Sequence, residues 1–266
     1  MKVGLVSLDQ AWEDKTINMI NCKSISEEMV RNCPGLDLII YPEMTLTGFS
    51  VRNPNIAESE FESPTLDFFK TLAKHTNCAH IVGISVTNNY GKYFNRCFYI
   101  DQFGDVKTQY DKMHTFSHAQ ENLIYSKGEK PSYIKNKESI IGLSICFDLR
   151  FPELYSFYRQ HCNIVICIAN WPATRKAHWY SLLQARSIEN QLFVIGVNRV
   201  GIDANNLEYE SSSVIYGPDG NAIFESIAGN FYSIYDLNIN EVNEYRKLMP
   251  FVKDRRPEIY KDFYKG

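Results

Sequence analysis

Apolar and polar residues alternate along the chain in two periods, and the two periods predict strands and helices from end to end. Short, nearly continuous apolar runs are typical of buried strands; they are KVGLVSL, DLIIYPE, AHIVGISV, YFNRCFYI, IIGLSIC, NIVICIAN, LFVIGVN and NFYSIYDLN. Stretches with helical spacing or polar, helix-compatible composition predict helices over residues 14–32, 65–76, 152–161, 176–190 and 239–248. This alternation predicts an α/β fold.

Turn and cap residues separate these elements. Ser63 and Pro64 have the pattern of a helix N-cap followed by proline at the first helical position. NNYG predicts a turn between two strands, and SSVIYGPDGNAIFES predicts a hairpin around Gly-Pro-Asp-Gly. No linker, low-complexity tract or charge block divides the chain, so we predict a single domain over residues 1–266.

The C-terminal tail, residues 250–266, is polar yet carries several aromatic residues: Phe251, Tyr260, Phe263 and Tyr264. One interpretation is a frayed terminus. The other is a segment that packs on its own core or on a second subunit.

Composition narrows the class of protein. Of 266 residues, 44% are apolar and 14% aromatic, which is enough for a sizeable core. The net charge of −3 comes with no basic stripe, which argues against a nucleic-acid partner. No apolar stretch approaches the roughly 18 residues of a membrane span, and MKVGLVSLDQ lacks the pattern of a signal peptide. We therefore expect a soluble protein with no membrane partner.

The cysteines point to a reducing compartment. There are seven, an odd number at scattered spacings, and no C-x-x-C pair indicates a zinc ribbon or a redox dithiol. The histidines His114, His118 and His178 do not form a metal-binding pattern with acidic residues. We expect reduced thiols in a cytoplasmic protein and no metal site.

Three apolar or extended runs end on an ionisable residue. Glu43 follows DLIIYP, Lys112 follows TQYD, and Cys146 follows IIGLSI. Each alone has an ordinary interpretation: a surface carboxylate, a surface lysine and a core thiol. However, ligand sites of α/β proteins collect at strand ends, where distant residues meet.

Together the three residues make a set that can cleave an amide. An ammonium group such as that of Lys112 favours the thiolate of a cysteine and stabilises an oxyanion. A carboxylate such as Glu43 moves the protons. The backbone N–H of Phe147, directly after Cys146, is a second oxyanion donor and places Phe147 in the substrate-binding set.

The three contexts, PEMTLTGF, YDKMH and CFDLRFPEL, resemble the Glu–Lys–Cys motifs of the nitrilase, or carbon–nitrogen hydrolase, superfamily. The resemblance runs from near residue 3 to about residue 260. It implies catalysis by Glu43, Lys112 and Cys146 and assigns Glu121 as an additional active-site glutamate. It also implies a four-layer αββα sandwich, no metal or other cofactor, and a homodimer formed through helices and C-terminal segments.

The stretch ANWPATRKAHWYSLLQARSIENQLFVIGVNRVG resembles the omega-amidase-like branch, which acts on terminal amides of short dicarboxylic acids. Trp171 and Arg175 are candidate substrate-binding residues, since a guanidinium can hold a carboxylate by two hydrogen bonds. We interpret Asp148, Arg150 and Glu153 as scaffold residues that fix the turn after Cys146.

Alternatives remain within the same triad and outside it. A nitrilase or an N-carbamoyl amino acid hydrolase would use the same thiol. A serine hydrolase of the α/β type should show G-x-S-x-G, which the sequence lacks, and no histidine has the context of a papain-like protease. A catalytically silent binding protein of the same fold is the alternative of another class.

Overall fold

The computed structural model describes residues 1–263, and its helices and strands follow the predicted order. The strands are β1 (Lys2–Val6), β2 (Leu38–Ile40), β3 (Glu58–Ser59), β4 (Ala79–Thr87), β5 (Tyr93–Ile100), β6 (Val106–Asp111), β7 (Tyr133–Asn136), β8 (Ser139–Ile145), β9 (Ile164–Ala169), β10 (Phe193–Asn198), β11 (Gly201–Ile202), β12 (Glu208–Tyr209), β13 (Val214–Tyr216), β14 (Ala222–Ile223), β15 (Ile227–Ala228) and β16 (Tyr232–Asp236). The helices are α1 (Lys15–Asn32), α2 (Pro64–Thr76), α3 (Pro152–His161), α4 (Lys176–Asn190), α5 (Asn240–Leu248) and α6 (Pro257–Phe263).

Two mixed sheets form the centre of the protein. The first has the order β15-β16-β1-β2-β4-β5-β6, with β3 paired to β4, and the second has the order β14-β13-β10-β9-β8-β7. Parallel pairs lie in the middle of each sheet. In the first sheet β2 pairs with β1 and with β4, and in the second β9 pairs with β8 and with β10. Antiparallel strands extend both sheets at their edges. The strands β11 and β12 form a separate hairpin.

The sheets pack face to face, and helices cover their outer faces. Leu38 and Ile40 of β2 lie in the core between the sheets, whereas Ile39 lies in the core under α1 and α2. A strand buried on both faces has no polar side, which explains the continuous apolar run. On the other side, Leu183 of α4 packs at Gly196 of β10. The result is the four-layer αββα sandwich, so the predicted fold is confirmed.

Local signals in the sequence account for most element boundaries. The hydroxyl of Ser63 accepts a hydrogen bond from the N–H of Leu66 (3.0 Å), and Pro64 begins α2 as predicted. The predicted hairpin around Gly-Pro-Asp-Gly is the pair β13–β14. The strands β3, β7, β11, β12 and β15 were not predicted, because two to four residues carry no measurable periodicity. Within residues 1–263, no helix has the length and hydrophobicity that crossing a membrane requires.

A buried neutral histidine makes stability depend on pH. His80 of β4 is fully buried, stacks on Tyr41 (ring centroids 5.6 Å apart) and contacts the hydroxyl of Thr76 through Nε2 (3.0 Å). Burial lowers the pKa of His80 from 6.5 to about 3. Below pH 6.5 the unfolded chain therefore binds a proton that the folded chain rejects, and stability falls as pH falls from 6.5 towards 3.

We predict that His80→Gln flattens this dependence. The free energy of unfolding of the native chain should fall by about 1.4 kcal/mol per pH unit more steeply than that of the variant between pH 6 and pH 4. Urea unfolding at several pH values measures the difference, and the exposed His118 replaced by Gln is the matched control. Equal slopes for the native chain and His80→Gln would contradict a neutral buried His80.

Candidate active site

The three strand-end residues meet in the interior, although they come from different sheets. Glu43 lies just beyond β2 and Lys112 directly follows β6, both in the first sheet, whereas Cys146 directly follows β8 of the second. Glu43, Lys112 and Glu121 are at most 1% exposed, and Cys146 is 9% exposed. Three strand ends and the short 3₁₀ helix Glu121–Leu123 thus bring all four predicted catalytic residues into one buried region.

The ammonium group of Lys112 lies between two carboxylates. Its Nζ donates to Glu43 Oε1 (2.8 Å) and to Glu121 Oε1 and Oε2 (3.2 and 3.0 Å). The backbone N–H of Phe116 donates to Glu121 Oε2 (2.6 Å), which fixes the second carboxylate. When all three side chains are ionised, this cluster carries one excess negative charge.

Two asparagines complete the hydrogen bonding of the carboxylates. Nδ2 of Asn95 donates to Glu43 Oε1 (2.7 Å) and to Glu121 Oε1 (3.0 Å). The backbone N–H of Asn170 donates to Glu43 Oε2 (3.0 Å), and its side-chain Nδ2 donates to the Glu43 carbonyl (2.6 Å). Both oxygens of the Glu43 carboxylate therefore have donors.

Burial and charge shift the pKa values of the site in directions that suit proton transfer. Burial raises the pKa of Glu43, and the charge of Glu121 adds to this while Lys112 opposes it. Burial tends to lower the pKa of Lys112, but the charges of Glu121 and Glu43 outweigh it and hold that pKa well above its usual value. Burial and the charge of Glu43 raise the pKa of Cys146. The lysine stays charged and the resting thiol keeps its proton.

The turn that carries Glu43 lies directly against β4. Gln10 Nε2 donates to the carbonyls of Glu43, Met44 and Thr45 (3.0–3.1 Å). A Cβ atom on Gly83 would lie 2.6 Å from Met44 N and 3.1 Å from Glu43 Cα, so only glycine permits this approach. Glu43 is thus fixed by its backbone as well as by its side chain.

The turn after β8 presents the thiol. Cys146 has φ of +45°, a left-handed conformation that non-glycine residues rarely adopt, and it begins a 3₁₀ helix over Cys146–Arg150. Such strain persists only where surrounding structure imposes it, and it clusters at functional sites. Phe147 is near the start of this helix, so its N–H has no partner within the helix.

Asp148 joins this turn to the segment around Lys112. It is fully buried, and its Oδ2 accepts from Tyr110 OH (2.8 Å) and from the N–H of Ile145 (3.0 Å). Its Oδ1 accepts from the N–H of His114 (2.9 Å) and contacts His114 Nδ1 (2.8 Å). Because Tyr110 and His114 flank Lys112, one carboxylate fixes the lysine relative to the thiol, in keeping with its expected scaffold role.

A cavity of about 260 Å³ opens onto Cys146 and Asn170. The predicted substrate-binding residues Phe147, Trp171 and Arg175 all line it. Aromatic side chains form much of its wall, and residues of the β11–β12 hairpin region close one side; the remaining lining residues are Trp12, Phe49, Ser50, Val51, Arg52, Phe116, Ala119, Arg150, Pro172, Asp203, Asn205, Leu207 and Tyr209. Trp171 is held by Asn198, which accepts from its N–H (2.7 Å) and donates to its carbonyl (2.8 Å).

Arg150 differs from its expected scaffold role, because it lines the cavity. Its guanidinium lies 4.9 Å from the Trp171 ring and 5.9 Å from the Phe147 ring. Burial and the positive charge of Arg175 both lower the pKa of Arg150, so the two guanidinium groups lie near enough to repel each other. The Nη2 atom of Arg150 also contacts Nδ1 of His178 (3.4 Å).

Sequence reasoning missed several polar residues of the site: Gln10, Asn95, Arg150 and Asn170. Asn95 had a signal, because an amide in the middle of the run YFNRCFYI must find buried partners. Gln10 had none, because its partners are carbonyl groups more than thirty residues away. Among the described residues, no cluster of three or more His, Cys, Asp or Glu side chains could hold a metal ion.

Comparison with known proteins gives this site its context. The carbon-nitrogen hydrolase family model matches residues 2–247. The omega-amidase YafV of Escherichia coli is 30% identical over 255 residues, covering 96% of each chain. A 2-oxoglutaramate amidase of Bacillus subtilis is 31% identical over 230 residues, covering 84% of this chain and 86% of the relative.

A solved structure is also similar to this chain. The carbon–nitrogen hydrolase superfamily protein XC1258 from Xanthomonas campestris, which carries an arsenic adduct in its active site, superposes with a TM-score of 0.88 at 28% identity. The match covers 96% of this chain and 97% of that one. The chain therefore belongs to the carbon–nitrogen hydrolase family, within the nitrilase superfamily, and is an amide-hydrolysing enzyme.

Proposed function

We propose that this enzyme removes the terminal amide of a small dicarboxylic acid monoamide, such as 2-oxoglutaramate or 2-oxosuccinamate, through a thioester on Cys146. The observation that carries the proposal is the buried Glu43–Lys112–Glu121 cluster beside a thiol that opens onto an arginine-lined cavity. Relatives named omega-amidase and 2-oxoglutaramate amidase support the same substrate class.

In the first half-reaction, Glu43 takes the thiol proton as the sulfur of Cys146 attacks the amide carbon. The raised pKa of the thiol means that this proton leaves only as the bond forms. If Oε1 and Oε2 of Glu121 share one ammonium proton of Lys112 and Glu43 takes another, the third proton is left for the oxyanion. The N–H of Phe147 is the second donor.

The tetrahedral intermediate then collapses to a thioester. Glu43, now protonated, gives its proton to the departing nitrogen, and ammonia leaves. In the second half-reaction Glu43 removes a proton from water, the hydroxide attacks the thioester, and the acid is released with a regenerated thiol. Glu121 holds Lys112 in place by accepting from its ammonium group through both carboxylate oxygens.

The charge of the cavity favours a substrate with a free carboxylate. Arg150 and Arg175 line the same cavity, and a substrate anion would relieve their mutual repulsion. The one carboxylate of the lining, Asp203, already accepts from two backbone N–H groups and from Tyr209. A 2-oxo acid amide therefore suits the cavity better than a zwitterionic amino acid such as glutamine.

The same arginines would suit an N-carbamoyl amino acid, which also carries a carboxylate. The substrate panel should therefore contain 2-oxoglutaramate, 2-oxosuccinamate, free glutamine, free asparagine, an N-carbamoyl amino acid and a simple nitrile. We expect ammonia release to be fastest from the two 2-oxo acid amides. A faster reaction with the carbamoyl compound or the nitrile would reject the omega-amidase assignment but would remain consistent with catalysis by Glu43, Lys112 and Cys146.

Replacing the nucleophile tests the covalent mechanism. Cys146→Ala should lower ammonia release from 2-oxoglutaramate by at least about a thousandfold, because no other group can form the thioester. Cys162→Ala is the matched control, since that thiol is equally buried but lies at the end of α3 and lines no part of the cavity. Undiminished turnover in Cys146→Ala would reject the mechanism. Selective alkylation of Cys146 by iodoacetamide separates an enzyme from a silent binding protein.

Substitution of Arg150 tests carboxylate recognition. Arg150→Gln should raise KM for 2-oxoglutaramate by about 30-fold, since a charged hydrogen bond contributes about 2 kcal/mol. Hydrolysis of butyramide, which lacks the carboxylate, should change by less than about threefold. The exposed Arg256 replaced by Gln is the control. Equal decreases in kcat/KM for 2-oxoglutaramate and butyramide would show that Arg150 only supports the cavity wall.

The C-terminal segment suits a second subunit, and we propose a homodimer. Part of it packs on its own chain, since Arg255 donates to Asn190 Oδ1 (3.3 Å) at the end of α4. Its apolar side chains remain exposed, as do those just before it; they are Leu248, Met249, Phe251, Tyr260 and Phe263. The predicted Tyr264 contact lies outside the described residues.

Deleting the residues after Val252 should weaken dimerisation, because it removes the aromatic side chains of α6. Sedimentation velocity over a range of concentrations measures the change. The double substitution Tyr260→Ser and Phe263→Ser in the full-length chain should also weaken dimerisation. An unchanged sedimentation coefficient for both proteins would contradict the proposed interface.

We also propose a cytoplasmic location. All seven cysteines are buried free thiols. The burial of Cys22, Cys78 and Cys97 raises their pKa values, which keeps them as inert core thiols. A reducing compartment preserves such thiols, and Cys146 in particular.

A further inference from the structure

The side chain of Asn95 connects the two carboxylates of the active site. It projects from β5, is 1% exposed, and donates from the same nitrogen to Glu43 Oε1 (2.7 Å) and Glu121 Oε1 (3.0 Å). Lys112 donates to the same two oxygens. We propose that Asn95 is a positioning residue that holds Glu43 and Glu121 around Lys112 and so aligns Glu43 for proton transfer. This inference rests on the proposed function.

The orientation of the Asn95 amide follows from its neighbours. If the amide were turned over, its carbonyl oxygen would face two carboxylate oxygens, which offer no proton. Oδ1 of Asn95 is buried and has no hydrogen-bond partner among the described residues. The side chain therefore gives both N–H groups to the carboxylates and leaves its own oxygen unsatisfied, which is a rare arrangement for a merely structural amide.

The four side chains form a closed ring of hydrogen bonds. Glu43 Oε1 is bound by Asn95 and Lys112, and Glu43 Oε2 is bound by the N–H of Asn170. The carboxylate cannot rotate without breaking these bonds. A proton-transfer group must be held to within about 0.5 Å of its working position, and the ring provides that restraint.

The backbone of Asn95 has a separate role that substitution would leave intact. Its carbonyl accepts from the N–H of Lys112 (2.9 Å), and this bond positions the lysine whatever side chain residue 95 carries. Changes of the side chain therefore test the contacts with Glu43 and Glu121 alone. The charged or titratable groups that interact with Glu43 are Lys112, Glu121, Cys146 and Cys167.

Two substitutions give opposite orders of effect for a positioning role and for a packing role. Asn95→Asp keeps the shape but replaces both donors by an acceptor and adds a third carboxylate around one lysine. Asn95→Ala removes the donors without adding charge. We expect kcat to fall about tenfold in Asn95→Ala and about a hundredfold in Asn95→Asp at pH 7.5, with KM changed by less than twofold. A packing role would make Asn95→Ala the more damaging change.

The pH profile is the second readout. Donation from Asn95 lowers the pKa of Glu43, so its loss should move the acidic limb of kcat/KM to higher pH, and further in Asn95→Asp than in Asn95→Ala. Asn190→Asp changes a buried asparagine at the end of α4, far along the chain from the site, and should leave the profile unchanged. Circular dichroism verifies that each variant is folded. If Asn95→Asp does not fold, the position of the acidic limb of kcat/KM in Asn95→Ala decides between the positioning role and a packing role.

Alkylation of Cys146 separates this inference from the proposed function. If the native enzyme releases no ammonia from any amide of the panel, the proposed function fails. The rate at which iodoacetamide labels Cys146, followed against pH by mass spectrometry, still depends on proton transfer to Glu43. A labelling profile displaced to higher pH in Asn95→Asp would support the inference. An undisplaced profile, or a larger loss in Asn95→Ala than in Asn95→Asp, would overturn it.

Discussion

The ammonium group of Lys112, buried between the carboxylates of Glu43 and Glu121, is the interaction around which the rest of the structure is arranged. Removing three charges from water is costly, and buried ion pairs rarely increase stability over apolar replacements. Burial raises the pKa of Glu43 and of the neighbouring Cys146; the charge of Glu121 adds to the first shift and the charge of Glu43 to the second. Such a cluster is destabilising unless every oxygen has a donor. Besides Lys112, the Asn95 amide and the backbone N–H groups of Phe116 and Asn170 supply those donors.

The fold provides the donors by joining two sheets at their strand ends. Asn95 belongs to β5 of the first sheet, whereas Asn170 follows β9 of the second, and both bind Glu43. Asp148 connects Cys146 and Lys112 in a similar way, because it accepts hydrogen bonds from the start of the Cys146 turn and from the residues that flank Lys112. The site therefore exists only when the sheets pack face to face. The same packing forms the core between the sheets and assembles the catalytic residues.

The cavity adds selectivity to this chemistry. Its aromatic wall supplies an apolar surface, and its arginines supply charge where a substrate anion would lie. The guanidinium of Arg150 lies over the Trp171 ring (4.9 Å) and contacts Nδ1 of His178 (3.4 Å). Arg150 ends the same 3₁₀ helix that Cys146 begins, so the nucleophile and one of the charged groups of the cavity are positioned by a single element.

The sequence by itself determined the order and type of the long elements, because apolar periodicity and caps such as Ser63 act over a few residues. It also predicted Glu43, Lys112, Glu121 and Cys146 as the catalytic set, since their motifs are local. Only the tertiary structure decided that Asn95 and Gln10 serve Glu43 and that Arg150 lines the cavity. A side chain's partners depend on which strand ends become neighbours, and a one-dimensional pattern carries no distances between strands.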